Sequence, residues 1–290
     1  MRAATPDPRP NKGLKRALQY VLIVALSLVF VFPILWTVLS SFKTDRNVVA
    51  FPPQWFPAPF VFDSYTTVLQ RYPYMAWMMN SVIITVLSTL LVLVVSSLAA
   101  FAFARLEFRF KGPLFALIIA MMLVPIQGYM IPLFKLLNSL GLRATPALAD
   151  LSLILTAGAN ITSLFILTAF FRSIPLVLEE AAKLDGCSDF RFFATILLPL
   201  SKAALASVAI LTFIGNWNQF LWPSIVLSGD DNLTLPVGIA RYFGAVGQDA
   251  AFRYGPSLAA ACMAVIPTVI VFLLLQRYFV EGITHSGIKG

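Results

Sequence analysis

Long stretches of apolar residues alternate with short polar connections along the chain. Six stretches contain no Asp, Glu, Lys, Arg or His, and they cover residues 17–42, 81–104, 114–134, 151–171, 203–227 and 258–276. A helix needs about 20 apolar residues to cross roughly 30 Å of hydrocarbon. The apolar residues are continuous rather than alternating, which excludes the strands of a membrane barrel. The pattern therefore predicts an all-α membrane protein with six transmembrane helices.

Two stretches at the margins of these spans need an interpretation. The uncharged residues 72–80 contain Pro73, Asn80 and several aromatic side chains, so we expect an interfacial segment that leads into the second span. The first apolar stretch follows Lys15 and Arg16, as the core of a signal peptide would. It has 26 residues, whereas a signal core has about 7–15, and no small-residue cleavage site follows it. We therefore expect a retained first helix.

Composition narrows the class of protein. Of the 290 residues, 59% are hydrophobic and 12% are charged, against about a quarter charged in soluble domains. The mean hydropathy of +0.85 excludes an ordinary soluble enzyme, and 25 Phe residues exclude a disordered chain. The basic residues form no stripe with interleaved aromatics, so we expect no nucleic-acid partner. Cys187, Cys262 and His285 are isolated in sequence, so no metal site is predicted.

The distribution of Lys and Arg predicts the orientation in the membrane. With a cytoplasmic N-terminus, the inner segments are 1–16, 105–112, 172–202 and 277–290, and the outer segments are 43–80, 135–150 and 228–257. The inner segments hold 14 basic residues in 69 positions, and the outer segments hold 7 in 84. Cytoplasmic loops carry the excess of positive charge. We therefore expect a multi-pass protein with both termini in the cytoplasm.

The predicted spans contain no Asp, Glu, Lys, Arg or His. Proton-coupled carriers need intramembrane carboxylates or histidines, and voltage sensors need arginines. The chain also lacks a G-x-x-x-x-G-K-[ST] phosphate loop and any Ser/His/Asp or Cys/His set, so no catalytic residue is predicted. These features favour a transport subunit, not an enzyme, whose energy source lies on another chain.

Amides and an indole supply polar groups within the spans. The candidates for a translocation path are Gln127, Asn160, Asn216, Trp217 and Asn218. One interpretation is helix–helix hydrogen bonding, worth about 0.6 kcal/mol per bond on average. The other is a path that hydrogen-bonds a neutral polyhydroxylated solute and stacks it on indole faces. Because Asn216 and Asn218 lie about 200° apart on a helix, we expect only one of them to line such a path.

The connection 172–202 is the longest inner segment between two spans. Ser173 is expected to cap a helix that ends near Leu184, before Gly186, which can take the left-handed conformation. Ser188 is expected to cap a second short helix, which Pro199 limits. The pattern predicts a compact helical knob facing the cytosol. An amphipathic hairpin lying on the membrane surface is the alternative.

The residues of this loop match a known motif. The spacing of Glu180–Ala182, Gly186, Ile196 and Leu198–Pro199 resembles the EAA motif of permease subunits of bacterial ATP-binding-cassette (ABC) importers. Further stretches resemble the carbohydrate branch, the family of the second maltose permease: M-L-V-P-I-Q-G-Y-M-I-P-L-F at 122–134, W-N-Q-F-L-W-P at 217–223, T-L-P-V-G at 234–238 and G-I-T-H-S-G-I-K-G at 282–290. Gln219 departs from the pattern, because the family more often has an acidic residue there.

The resemblance implies the type I ABC importer permease fold and a larger transport machine in a bacterial plasma (inner) membrane. Its partners would be a second homologous permease subunit, two ATP-binding cassette ATPase subunits, an extracytoplasmic solute-binding protein, a sugar substrate and membrane lipid. ATP and Mg would bind the ATPase subunits, so no cofactor is expected on this chain.

The resemblance also assigns roles to segments. It makes 172–202 the coupling loop that docks on an ATPase subunit, with Glu180, Ala181, Ala182, Leu184, Asp185, Gly186, Ile196 and Pro199 as the coupling residues. Residues 282–290 would reach between the ATPase subunits, and residues 228–255 would contact the binding protein. Residues 1–16 match nothing and are expected to form a flexible cytoplasmic tail ahead of a membrane domain at 17–290.

The substrate stays open at this stage. A di- or oligosaccharide is the leading expectation, and glycerol-3-phosphate or a related polyol is the alternative. A phosphate would require Arg or Lys on the path, and the spans contain none. A self-contained secondary carrier and a membrane enzyme are disfavoured by the missing intramembrane charges and the missing catalytic set.

Overall fold

A computed structural model describes residues 12–243 and 254–286 of the chain. Every regular element in these ranges is helical, and they contain no strand. The helices are α1 (Lys12–Ser41), α2 (Asp45–Val48), α3 (Asp63–Arg71), α4 (Tyr74–Arg105), α5 (Lys111–Ala120), α6 (Ile126–Ser139), α7 (Pro146–Ala157), α8 (Ile161–Ser173), α9 (Leu176–Leu184), α10 (Asp189–Phe192), α11 (Leu198–Leu200), α12 (Lys202–Trp217), α13 (Leu221–Val226), α14 (Leu235–Phe243) and α15 (Tyr254–Ser286). A 3-10 turn (Met121–Leu123) follows α5, and a π turn (Phe193–Leu197) follows α10.

Six segments of the described residues can be membrane spans. Three are single long helices, at Arg16–Ser41, Tyr74–Arg105 and Tyr254–Gln276. Three are helix pairs bent at a short break: α5 and its 3-10 turn against α6 by 102°, α7 against α8 by 41°, and the α10–α11 segment against α12 by 78°. With each bent pair as one span, the predicted number of six is confirmed.

The bends lie where helical hydrogen bonding is interrupted. Val124 and Pro125 are extended between the 3-10 turn and α6, because the residue before a proline is pushed out of the helical region. Asn160 is extended and caps α8 with its side-chain oxygen, so α8 starts anew after α7. Ser201 breaks the third segment, two residues after Pro199, which lacks a backbone donor.

Three helix boundaries differ from the bounds of the apolar stretches. Helix α1 begins at Lys12, because Lys, Leu and Arg are good helix formers, so the predicted tail is helical over its last residues. Helix α4 begins at Tyr74 and takes in most of the expected interfacial segment, because Tyr74 and Trp77 are buried. The stretch 203–227 is broken between Trp217 and Leu221.

The described residues form two compact units. The first contains those within Met1–Val68 and Val246–Cys262. There Phe42 and Phe60 stack at 4.5 Å between ring centroids, and the buried Lys43 ammonium donates to the Gln54 carbonyl oxygen at 2.6 Å. Desolvation by burial lowers the pKa of Lys43. The carboxylate of Asp45 accepts a hydrogen bond from the Gly255 backbone N–H at 3.0 Å, at the start of α15.

The second unit contains the described residues within Leu69–Ala245 and Met263–Gly290 and is built around α4. Helix α4 packs against α8, α12, α7 and α14. Its buried surface includes small hydroxyl side chains at Ser81, Thr85, Ser88, Thr89, Ser96 and Ser97. Small residues let helix backbones approach closely where lipid removes the hydrophobic drive for association. Helices α8 and α12 also meet through a 3.3 Å hydrogen bond between the Ser163 and Thr212 hydroxyls.

Candidate functional site

The loop between α8 and α12 folds into the two predicted helical segments, α9 and a second one made of α10, the π turn and α11. The second segment continues through Pro199 to Leu200, so the predicted limit at Pro199 is wrong, because a proline is tolerated in the first turn of a helix. Helix α9 ends in a Schellman motif, in which Gly186 N–H donates to the Lys183 carbonyl at 3.0 Å and Cys187 N–H to the Ala182 carbonyl at 2.9 Å. Gly186 has φ +75°, which confirms its expected left-handed conformation. Ser188 caps α10 through the Arg191 backbone N–H at 3.4 Å, which is also confirmed.

The expected cap at Ser173 is wrong. Helix α9 begins after Pro175, without a side-chain cap. Ser173 instead belongs to the last turn of α8, where its hydroxyl donates to the Phe170 carbonyl oxygen at 2.7 Å. The hydroxyl satisfies a carbonyl of the preceding helix, so it does not serve α9.

The predicted coupling residues fall on two sides of this loop. Glu180, Ala181, Leu184, Asp185, Gly186 and Pro199 are exposed, Ile196 is half-buried and Ala182 is buried. Ala182 packs in a core with Phe192 and Leu197 of the same loop, and with Phe101 of α4 and Phe171 of α8. The structure therefore places most of these residues on an outer face and uses Ala182 to seat the loop on its own chain.

The outer face of the loop is unusually apolar for a connection between spans. Leu184 is 90% exposed, and Leu176, Val177 and Phe190 are each more than half exposed. Contiguous exposed apolar side chains mark a surface that another molecule covers. Sequence reasoning missed Val177 and Phe190. The sequence feature that could have identified these two residues is their position in a loop that is otherwise rich in charged residues.

A buried ion pair lies beneath this face, and sequence reasoning missed it as well. Glu179, which is 7% exposed, faces the Arg105 guanidinium at 3.6 Å. Its carboxylate also accepts a 2.8 Å hydrogen bond from Lys183, and this bond raises the pKa of Lys183. Two sequence features could have indicated this pair. Glu179 and Lys183 have the i,i+4 spacing of a helical ion pair, and Arg105 is the first charged residue after the second apolar stretch.

Among the predicted path residues, Asn160 lines two cavities of the second unit. The larger, of about 510 Å³, lies between α4, α5, α6 and the α7–α8 break, and the smaller, of about 200 Å³, lies between α8 and α12. The larger cavity is mainly apolar, with Ser96, Tyr129 and Thr156 among its polar lining groups. Neither cavity is lined by a charged side chain.

The structure does not bring the other path candidates to these cavities. Gln127 is exposed on α6, and the Asn218 amide donates to the carbonyl of Ile214 in its own helix at 2.9 Å. Trp217 is 3% exposed, and its indole N–H donates to the Ala264 carbonyl at 3.1 Å. In this chain Trp217 therefore packs against its neighbours and presents no free ring face.

Asn216 differs from Asn218 in its hydrogen bonding. Its side-chain nitrogen is buried and has no hydrogen-bond partner within the described residues. Leaving a buried amide donor unpaired costs about 1–3 kcal/mol. The Asn218 amide is already bonded within the chain and the Asn216 nitrogen is not, so Asn216 is the better candidate of the two asparagines.

The segment before α14, part of the predicted outer loop 228–255, is clamped to the start of α4. The indole N–H of the fully buried Trp77 donates to the Asp230 carbonyl at 2.7 Å. The Asn80 amide donates to the Asp231 carbonyl at 3.1 Å, and the Ser81 hydroxyl accepts from a backbone N–H at the start of α14 at 2.6 Å. The described part of this loop therefore has a defined position. Residues 244–253 lie outside the described residues, as do 287–290 of the predicted C-terminal contact.

Comparison with known proteins shows the family to which the sequence is similar. Residues 92–285 match the family described as "Binding-protein-dependent transport system inner membrane component". The chain is 32% identical to the arabinooligosaccharides transport system permease protein AraQ of Halalkalibacterium halodurans, over 91% of this chain and 93% of AraQ. It is 35% identical to the trehalose/maltose transport system permease protein MalG of Thermococcus litoralis, over 96% and 98%.

Two further comparisons concern a permease of another transport system and a solved structure. The chain is 30% identical to the sn-glycerol-3-phosphate transport system permease protein UgpE of Agrobacterium fabrum, over 95% of this chain and 98% of UgpE. Its fold is similar to that of a chain from a bacterial ABC transporter involved in the import of alginate, with a TM-score of 0.81 and 23% identity over 95% of this chain and 100% of that chain.

Proposed function

Since the chain belongs to the family of binding-protein-dependent transport system inner membrane components, we propose that it forms part of the path by which a sugar delivered by a solute-binding protein crosses the inner membrane. The observation that carries this proposal is the loop α9–α10, which exposes an apolar face and is seated on the core around α4 and α8. Exposed apolar patches of this kind mark sites where another molecule binds, and we assign this one to a partner chain.

The energy for transport comes from ATPase subunits on separate chains, which bind ATP and Mg. Their docking surface is the face that carries Glu180, Ala181 and Leu184. The leucine supplies apolar area, and Ala181 leaves room for close approach. A second permease subunit completes the path. The assignment of ATP binding to other chains agrees with a sequence that contains no phosphate-binding loop.

A neutral di- or oligosaccharide is favoured over a phosphorylated solute. Relatives are named for arabinooligosaccharides, for trehalose and maltose, and for sn-glycerol-3-phosphate. The two cavities at Asn160 have hydroxyl and amide groups but no cationic side chain in their linings, and a phosphate site normally uses Arg or Lys. The candidate path residues are Asn160 and Asn216, with Gln127 and Asn218 as weaker candidates.

Both termini lie in the cytoplasm according to this proposal, which puts α9 on the side where ATP is available. A reporter fused after Gly290 is expected to be active only in the cytosol, and one inserted near Asp231 only outside. An external C-terminus would contradict the orientation.

The docking surface is tested by co-purification. Leu184→Asp should abolish recovery of the ATPase subunits with the tagged permease, because it places a charge in an apolar contact. Leu140→Asp, at an exposed position between α6 and α7 and outside both cavities, is the matched control for insertion and yield, and should leave recovery unchanged. Solute uptake by the permease alone, driven by an ion gradient without any ATPase, would instead support a secondary carrier.

A further inference from the structure

Helices α4 and α8 end side by side, and an arginine in the last turn of each binds the backbone of the other. Arg105 of α4 donates to the carbonyl oxygens of Phe171 and Ile174, each at 2.6 Å. Arg172 of α8 donates to the Phe103 carbonyl at 3.2 Å. The last carbonyls of a helix have no partner within it, and cations at this end are favoured by the helix dipole. The two helices therefore cap each other.

The two arginines differ in what else they contact. Arg172 is exposed and its guanidinium lies 5.2 Å from the centre of the Phe115 ring, on α5. The Arg105 side chain is 1% exposed, and its guanidinium faces Glu179 on α9 at 3.6 Å. Arg105 alone of the pair therefore links α4 and α8 to the loop that carries the exposed docking face.

The geometry of the buried pair does not favour a role in stability alone. Glu179 Oε2 and Arg105 Nε are buried and make no hydrogen bond within the described residues. The desolvation of two charges is repaid only when the remaining polar atoms are satisfied, so an incompletely bonded buried pair adds little net stability. Its distinct effect is positional, because each charge can be buried only where the other lies opposite.

We infer that Arg105 is the positioning residue that holds α9 on the α4–α8 pair, so that a displacement of the docking face moves both helices. The inference rests on the proposed function for the identity of the docking partner. Apolar packing supports the same linkage, since Ala182 lies in one core with Phe101 and Phe171. In a transporter driven from outside the membrane, this contact transmits the work of ATP hydrolysis to the helices.

The test measures sugar imported and ATP hydrolysed by the complete complex, reconstituted with its ATPase subunits and binding protein. Arg105→Gln should lower uptake about tenfold, as expected for the loss of one coupling interaction, and leave ATP hydrolysis nearly unchanged. Glu179→Gln should lower uptake by a similar factor, and the double variant should lower uptake no further than either single variant. Arg172→Gln is the matched control, because it removes a cap between the same helices and leaves α9 untouched.

A second measurement, hydrogen exchange, does not require the ATPase subunits or the binding protein. Hydrogen exchange of the purified chain should be faster at 176–184 in Arg105→Gln and Glu179→Gln, and unchanged there in Arg172→Gln. Arg105→Lys keeps the charge near Glu179 but cannot bridge two carbonyls and a carboxylate, so it should restore the exchange rate only in part. Unchanged exchange in Arg105→Gln, or equal ATP-to-sugar ratios in Arg105→Gln and Arg172→Gln, would overturn the inference. Failure of the wild-type complex to assemble would count against the proposed function, and hydrogen exchange would still decide the role of Arg105.

Discussion

Replacing Gly238 with Ala should destabilise the outer loop, although the same change stabilises most helices. Gly238 lies inside α14, where Ala is normally favoured over Gly by about 1 kcal/mol. A Cβ at this position would overlap Cδ2 and Cε3 of the Trp77 ring and lie 2.9 Å from Cε2. The ring cannot move aside easily, because its N–H is bonded to Asp230 and its face stacks on Tyr242 at 5.1 Å between centroids.

The sign of the effect follows from two opposing magnitudes. Overpacking a well-filled site costs about 1–3 kcal/mol, and an overlap with a fully buried, hydrogen-bonded ring belongs at the upper end. Subtracting the helix preference of about 1 kcal/mol leaves a net destabilisation of about 2 kcal/mol. Gly215 on α12 offers a matched control, because a Cβ there meets no atom within 4 Å. Gly215→Ala should therefore be neutral or stabilising.

The assay is thermal unfolding of the purified chain, with hydrogen exchange at 235–243 as the local readout. Gly238→Ala should lower the unfolding midpoint and speed exchange in α14, and Gly215→Ala should do neither. A Gly238→Ala chain as stable as the wild type, with unchanged exchange in α14, would refute the reasoning.

Three further predictions follow from single positions. Gly186→Val should abolish uptake while the chain still inserts, because a β-branched residue at φ +75° is strained by about 1–2 kcal/mol and redirects the loop; normal uptake would contradict this. Asn216→Leu should lower uptake with assembly intact, whereas Asn218→Leu should not, and equal effects would make both packing residues. Burial raises the pKa of Asp45, partly opposed by the hydrogen bond from Gly255 N–H, so the folded state holds this proton more tightly. Stability of the first unit should therefore fall as pH rises from about 4 through the folded pKa, and Asp45→Asn should remove this slope in thermal unfolding measured between pH 4 and 7.

The membrane segments could be predicted from the sequence because the requirement that produces them is local. Hydrocarbon thickness demands a run of about 20 apolar residues, and such a run is visible without knowledge of its neighbours. The turn at Gly186 and the cap at Ser188 are local in the same way, since each depends on hydrogen bonds within a few residues. The motif around Glu180 indicated the family for the same reason.

The breaks inside the apolar stretches could be predicted from the sequence only in part. Pro125 and Pro132 both lie in the third stretch, yet the chain bends at Pro125 and α6 continues through Pro132. A proline removes one donor and restricts the residue before it wherever it occurs. Whether the helix stops or continues depends on what packs around the freed carbonyl, and that information is not carried by the neighbouring residues.

Which charged side chains are buried could not be predicted from the sequence, because burial depends on the packing of distant helices. Glu179 and Glu180 are adjacent and chemically almost identical, but consecutive helical residues point about 100° apart, and only Glu179 faces Arg105. The need for glycine at position 238 likewise comes from Trp77, more than 150 residues away. The number of spans, the turn at Gly186 and the family were predictable, because each depends on residues close together in the chain. The anchoring of the loop and the clamp of the outer segment depend on contacts between distant elements, which exist only once the helices have packed around α4.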